Sequence, residues 1–374
     1  MTLRGSDQPL HLAHDVALID LDGVCYRGDD PVEHAAESLT AAREGGLAAR
    51  FVTNNASREP GTVADHLTEL GIATEPDEVV TAAQAGAALL AERFPEGSPI
   101  LVVGGAGLRT AVAERGMRIV EAADDEPVAV IQGWDPNLSW GPLAEACYAI
   151  ERGAAHIATN LDFSIPKPGG IAPGNGAFVD VVARVSGSQP ISTGKPEPEI
   201  FETAARRAGG TAPIILGDRL DTDIRGAVSA GMASLHVLTG VDDARNVVLA
   251  DPIERPTYLA IDLRDLLVAH PEVTGSTAGG SDGADTAGTD SATAASTVWT
   301  AGSAHAHVAD GVLHLDDGTG TATPLGTPAG SAPPAPVTVS LDGYRALAAA
   351  AWASADAGAP LDPQVVPELV VERR

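Results

Sequence analysis

At 374 residues the chain has material for about two and a half domains of ordinary size, enough to bury a sizeable core without disulfide or metal staples. Lys and Arg number 23 against 51 Asp and Glu, a formal net charge of -28, which excludes nucleic acid and anionic membrane as expected partners, because both draw their affinity from clustered Lys and Arg. Aromatic residues at 3% leave few stacking platforms for single strands. Cys25 and Cys147 make neither a disulfide framework nor a C-x-x-C motif. There is no basic segment followed by an apolar one at the start and no run of ~20 apolar residues, so a cytoplasmic protein is expected.

Along residues 14–268, short apolar runs that stop at Gly, Asp or Asn alternate with helical patterns: VALIDLDG, GLAARFVTNN, ILVVGG, PVAVIQGW, AAHIATN, PIILGD, ASLHVLTG and TYLAID. Near-continuous apolar strands alternating with helices predict an α/β fold with a doubly wound parallel sheet covered on both faces. Ligands of such sheets bind at the carboxyl ends of the strands, where this sequence places Asp20 and Asp22, Thr53-Asn54-Asn55, Asn160 and Gly217-Asp218. Residues 274–297 contain only Gly, Ser, Thr, Ala and Asp, too little apolar surface to offset ordering entropy. They read as a disordered linker of mean span roughly 25–29 Å, leaving the position of residues 298–374 unfixed. In that last region HAHVADGVLHLD predicts a hairpin and LDGYRALAAAAWASAD a helix, with no recurring site chemistry. Its role is unassigned, and its removal is expected to leave turnover intact.

Asp20-Leu21-Asp22-Gly23 follows a strand that has no folding use for carboxylates, and buried unpaired Asp is costly. A hard divalent cation would compensate it, and Gly217-Asp218-Arg219-Leu220-Asp221-Thr222-Asp223-Ile224 supplies further acidic ligands. Taken alone, D-x-D-G fits a turn or a helix cap equally well. The ordered set D-L-D-G, T-N-N, G-K-P and G-D-x-x-x-T-D-I is far more specific. It resembles the four motifs of the haloacid dehalogenase superfamily of phosphatases, and the Thr-Asn-Asn motif with a large insertion before Gly194-Lys195-Pro196 resembles the NagD-like, nitrophenylphosphatase-type branch.

The resemblance implies a Rossmann-like catalytic core from residues 1–80 and 191–270, with residues 81–190 as an inserted α/β cap that selects substrate. It implies Asp20 as nucleophile, Asp22 as general acid and base with a raised pKa, and Mg2+ held by Asp20, the Asp22 main-chain carbonyl and Asp218, with Asp223 either direct or one layer out. Lys195 would pair with the phosphoryl group and Asp20, and Thr53, Asn54 and Asn55 would cradle phosphate oxygens. In the cap, Asn160 and Asp162, together with Pro173-Gly174-Asn175-Gly176, would face the leaving group, and Lys167 would lie on the cap surface. The expected activity is Mg2+-dependent hydrolysis of a small phosphomonoester through an aspartyl-phosphate. Glycerol 3-phosphate or 2-phosphoglycolate leads, with pyridoxal phosphate or a nucleoside monophosphate as alternatives. The oligomeric state is left open.

Other features carry competing readings. Gly105-Ala106-Gly107-Leu108-Arg109-Thr110, followed by Glu121 at a strand end, imitates a dinucleotide fingerprint but has Thr110 in place of the third glycine. A nucleotide-cofactor oxidoreductase built on it would leave the acidic cluster without a use. Cys25 reads as a small buried hydrophobe, Asp221 as a helix cap, and His305-Ala306-His307 as a strand with histidines on one face. A catalytically idle binding protein has no chemical need for the full set Asp20, Asp22, Lys195 and Asp218.

Overall fold

The computed structural model describes residues 3–167, 169–277, 297–326 and 334–372. Three sheets organise it. The first has six parallel strands in the spatial order Tyr258–Ala260, Ala233–Val237, Pro213–Gly217, Val16–Ile19, Ala48–Thr53, Val79–Thr81. Numbered along the chain this is 6-5-4-1-2-3, the doubly wound arrangement, whose order reverses between the first and fourth strands. Val16–Ile19 is buried at every position, and its side chains alternate between two cores as the strand period of two requires. Ala17 and Ile19 pack with Leu39, Val63 and Leu67 on one face, and Val16 and Leu18 with Ile200, Phe201 and Ala204 on the other. The fold is therefore α/β as the apolar runs indicated.

The second sheet is also parallel, in the order Ile191–Ser192, Ala155–Ala158, Ala129–Gln132, Pro99–Val103, Arg118–Val120. The helices Ala82–Arg93 and Ala106–Glu114 contribute to the core on one face, and Trp140–Glu151 with Asn175–Ser186 to that on the other. Its edge strand Ile191–Ser192 lies just past residue 190, and Val79–Thr81 belongs to the first sheet.

The third sheet is antiparallel: Val273–Thr277, Thr297–Ala301, Ala304–Ala309, Val312–Asp317, Thr323–Leu325. Here the linker reading needs correction. Residues 274–277 of that stretch are strand, paired with Thr297–Ala301, because an existing edge supplies the hydrogen-bond partners and Thr suits a pleated surface whatever the local composition. Of the remainder, residues 278–296 lie outside the described residues. The region after it is not loosely tethered either. The helix Leu341–Asp356, capped by Ser340 accepting from the Gly343 N–H, is buried around its whole circumference from Tyr344 to Trp352. Its Leu347, Ala348 and Ala351 share one core with Leu313 and Leu315 of the third sheet and with Val247, Val248 and, from the first sheet, Leu259. Alanine allows this, since small side chains at Ala346 and from Ala348 to Ala351 let neighbours approach closely from more than one side. Among the described residues, no helix is long and apolar enough to cross a membrane.

Candidate active site

The first and fourth strands end side by side, and each ends in an aspartate. Asp20 follows Val16–Ile19 and Asp218 follows Pro213–Gly217, whose pairing runs through Ile19 opposite Leu216. This is the switch point at which doubly wound sheets bind ligands. Beyond Asp218 the chain makes a wide turn, Leu220–Ile224, in which the Asp223 and Ile224 N–H groups both donate to the Arg219 carbonyl at 3.1 Å. The turn swings Asp223 back against the strand end. Carboxylate oxygens of Asp20, Asp218 and Asp223 all lie within 4.8 Å of one another.

Lys195 enters this group from below. Its ammonium donates to Asp20 Oδ1 and, at 2.7 Å, to Asp223 Oδ1, and its side chain is only 4% exposed. Burial alone would lower its pKa, but the charges and hydrogen bonds of Asp20 and Asp223 outweigh burial and hold it above the usual lysine value. One ammonium does not balance three carboxylates. Asp218 is pushed up to about 8, by burial first and then by the charges of Asp20 and Asp223, and Asp223 to about 6, by burial first and with Lys195 pulling the other way. Asp218 Oδ2 accepts from the Val241 N–H at 2.7 Å, whereas Asp218 Oδ1 is buried with no hydrogen-bond partner. A hard cation held by Asp20 and Asp218 would fit this deficit, satisfying the orphaned oxygen and offsetting the like-charge repulsion. Asp223 has Oδ1 on Lys195 and Oδ2 on the Arg219 N–H at 3.3 Å, an arrangement suited to orienting its neighbours.

Asp22, which the resemblance makes the general acid and base, is exposed to solvent. Thr53 is 7% exposed, and its hydroxyl oxygen accepts from the Asn55 N–H at 3.1 Å, leaving the hydroxyl proton available. The Asn54 amide is already engaged: Nδ2 donates to the Lys195 carbonyl at 3.1 Å and to Asp162 Oδ2 at 3.0 Å, and Oδ1 accepts from the Lys195 N–H at 2.8 Å. Asn55 Oδ1 is spent on Ser57. Asn160 Nδ2 donates to the Asn54 carbonyl at 2.8 Å, and Asn175 Nδ2 to the Asn160 carbonyl at 2.8 Å. The structure thus brings Asn54, Lys195, Asn160 and Asp162 into one hydrogen-bonded cluster. The side chain of Lys167 lies outside the described residues.

Sequence reasoning missed the loop that aims Asp218. Besides Val241, Asp242 donates its N–H to the Asp218 carbonyl at 3.2 Å and accepts the Leu220 N–H on Oδ2 at 2.8 Å. A Cβ at Gly240 or at Gly23 would overlap the Asp218 carboxylate, so two glycines admit the backbone to that side chain. The signal was present as T-G-V-D-D at the end of the fifth strand of the first sheet.

The glycine turn after Pro99–Val103 serves packing. The Gly107 N–H donates to the Ser57 carbonyl at 3.1 Å, a Cβ there would meet the Arg58 carbonyl, and Thr110 donates to Glu59 at 2.7 Å. Glu121 pairs with Arg109 at 2.7 Å. The helix start that a pyrophosphate would need is filled by the residue 57–59 loop, which removes the dinucleotide reading. Cys25 is buried with its thiol directed at the Asp20 carbonyl at 3.5 Å, and burial followed by the Asp20 charge raises its pKa, so no thiolate nucleophile forms there. Asp221 pairs with Arg219 at 2.7 Å rather than capping a helix, which begins later, at Arg225. His307 stacks on His314 across the third sheet, centroids 4.8 Å apart.

A carboxylate paired with a buried lysine at the switch point, beside two further buried carboxylates, suits an enzyme that works on phosphate esters. The comparisons agree. A family model described as haloacid dehalogenase-like hydrolase matches residues 17–118, and a second HAD-like hydrolase model matches residues 192–266. The chain is 45% identical over 253 residues to D-glycerol 3-phosphate phosphatase of Mycobacterium tuberculosis, covering 68% of this chain and 71% of that one. It is 37% identical over 252 residues to an acid sugar phosphatase of Staphylococcus aureus, covering 67% of this chain and 95% of the relative. Among solved structures, glycerol phosphate phosphatase from M. tuberculosis in complex with magnesium superposes with a TM-score of 0.75 at 33% identity, covering 100% of this chain and 96% of that one. A thermostable NPPase from Geobacillus stearothermophilus gives 0.62 at 33% identity over 67% of this chain and 97% of its own. The chain belongs to the haloacid dehalogenase-like hydrolases. Within them it is a phosphatase.

Proposed function

We propose that the protein hydrolyses a small polyol phosphomonoester of the glycerol 3-phosphate type, using Mg2+ and an aspartyl-phosphate on Asp20. The observation that carries the reading is the buried Asp218 Oδ1, unpartnered beside Asp20 and Lys195. Asp20, Asp218 and the Asp22 main-chain carbonyl would hold the ion, with Asp223 bracing Lys195. Bound there, Mg2+ supplies positive charge against the ester's phosphate oxygens.

The rest is done by the chain. Lys195 holds the Asp20 carboxylate and meets the incoming phosphate charge. Asp20 attacks phosphorus, an O–P bond forms to its carboxylate, and the ester P–O bond breaks as Asp22 gives its proton to the leaving oxygen. Asp22, accessible to solvent, then takes a proton from water as the water oxygen attacks phosphorus and Asp20 is released. The Thr53 hydroxyl and the Asn55 amide cradle the phosphate oxygens, while Asn54 positions Lys195 and Asp162.

Asp162 supports a polyol leaving group. Burial raises its pKa, opposed by the Asn54 hydrogen bond and by the charges of Arg219 and Lys195; its Oδ2 is held by Asn54, its oxygens can accept polyol hydroxyls, and in its ionised form it repels a leaving group that is itself a carboxylate. The names of the M. tuberculosis and S. aureus relatives point the same way. Phosphate release from a panel containing glycerol 3-phosphate, sugar phosphates, 2-phosphoglycolate, pyridoxal phosphate and a nucleoside monophosphate, with Mg2+ or EDTA, tests it. A preference for 2-phosphoglycolate would overturn the Asp162 argument, and turnover undiminished by EDTA would overturn the metal.

A further inference from the structure

The C-terminal region contributes no side chain to the chemistry above, yet its packing leads back to the carboxylates by two routes. The first runs through the short helix Ala244–Val248. The Trp352 indole N–H donates to the Val247 carbonyl at 2.9 Å. From that helix the Arg245 guanidinium donates to the Val366 carbonyl at 2.9 Å and to the Pro363 carbonyl. The helix is thereby tied near its start and near its end to two separate parts of the C-terminal region. Immediately before it come the residues that aim Asp218: Val241 on Oδ2, and Asp242 on the Asp218 carbonyl and the Leu220 N–H. Asp242 is itself tied to the helix, since its Oδ1 accepts from Asn246 Nδ2 at 3.0 Å. The second route is apolar. Leu220 and Ile224, the ends of the turn that carries Asp223, lie in the same core as Tyr344, Leu347 and Ala351.

We propose that the C-terminal region is a positioning element of the active site, in which the Leu341–Asp356 helix and residues 363–366 fix the Ala244–Val248 helix and, through residues 240–242, set the Asp218 carboxylate for the cation. The proposal rests on the metal-dependent reading above. Trp352 and Arg245 are positioning residues, since their bonds here are to main-chain carbonyls outside the carboxylate cluster. An outer-layer partner of a metal ligand is worth roughly 10- to 100-fold in affinity, and these residues act one step further out.

The test uses the full chain. Mg2+ affinity is measured by calorimetry and by the Mg2+-dependent rise in melting temperature, and kcat and KM for p-nitrophenyl phosphate are measured at saturating Mg2+. Arg245→Gln and Trp352→Phe, which removes the indole N–H and leaves a smaller aromatic ring in the same core, are compared with wild type and with Ile131→Val, a cap-core variant that loosens a distant part of the molecule. The expected result is a Mg2+ Kd raised roughly 3- to 30-fold in the first two, kcat and KM at saturating Mg2+ within about twofold of wild type, and an unchanged Kd in Ile131→Val. Unshifted Kd in both folded variants, or an equal shift in Ile131→Val, would overturn the proposal alone. Wild-type protein that takes up no Mg2+ would overturn the metal-dependent reading and this proposal with it.

Discussion

The first and third sheets solve different problems with different materials. The parallel sheet keeps its apolar residues in short, fully buried strands and spends polar residues at their carboxyl ends, so each strand end is a place where chemistry can be installed without disturbing the core. The antiparallel sheet spends its strand-end carboxylates on its own loops, Asp316 accepting from the Thr319 and Gly320 N–H groups and Asp317 from the Ser340 N–H. Its alanines, leucines and one tryptophan go into joining a helix to both the sheet and the catalytic half. Strand-end substitutions should therefore abolish turnover while sparing stability, and C-terminal ones should do the reverse.

The sharpest way to break that contrast is Asp20→Asn. Phosphate release should fall by on the order of 10^3-fold or more, with the denaturation midpoint retained, since removing one charge relieves the repulsion around Asp218. A mutant that loses its fold instead would place Asp20 in the structural column. Lys195→Met should be mixed: about 10^2- to 10^3-fold in kcat from loss of the charge that meets the phosphate, together with lower stability measured by urea unfolding, because Asp20 and Asp223 are left buried without their cation. On the other side, Trp352→Ala should cost about 3–5 kcal/mol of unfolding free energy, while kcat at saturating Mg2+ stays within a few-fold. A collapse of kcat there, in folded protein, would erase the distinction.

A smaller effect belongs to the second sheet. His156 is buried between Ser188 and Gln132, each at 2.7 Å, and burial lowers its pKa to about 4. Its folded pKa lies below the unfolded one, so its stabilisation is complete above pH 6.5 and is lost as pH falls toward 4. By pH 5 the loss is about 2 kcal/mol. Wild type should lose more stability than His156→Gln between pH 7.5 and pH 5; equal losses would remove His156 as the cause. Smallest of all, His305→Ala on the exposed face of the third sheet should change stability by less than about 0.5 kcal/mol and leave turnover untouched.

What the sequence discloses follows the same division. The strand ends were legible because buried parallel strands read as apolar runs and a carboxylate directly after one has no structural excuse. Asp20 and Asp218 come together at those strand ends, whereas the place of Lys195 was legible only through the family resemblance. The strands Val79–Thr81 and Ile191–Ser192 were not legible, being too short for periodicity to register. The Val241–Asp242 support of Asp218 lies more than twenty residues downstream, where only the sheet order brings it back. Asn54 looked like a phosphate donor because its neighbours do, and only its geometry shows the amide committed to Lys195 and Asp162. The docking of Leu341–Asp356 was invisible for a different reason: a helix apolar all round has no stripe to say which neighbour it faces.

The position of the first strand bears on how the chain can be made. Val16–Ile19 is central, paired on one edge with Ala48–Thr53 and on the other with Pro213–Gly217. At about 5–20 residues per second, the ribosome takes roughly 10–40 s to supply the second partner after the first strand emerges. Throughout that interval one edge of an entirely apolar strand, with Asp20 at its tip, has no mate. Such an edge invites pairing with other chains, so the nascent protein should be most prone to aggregation, and most dependent on chaperones, until residue 217 has cleared the exit tunnel.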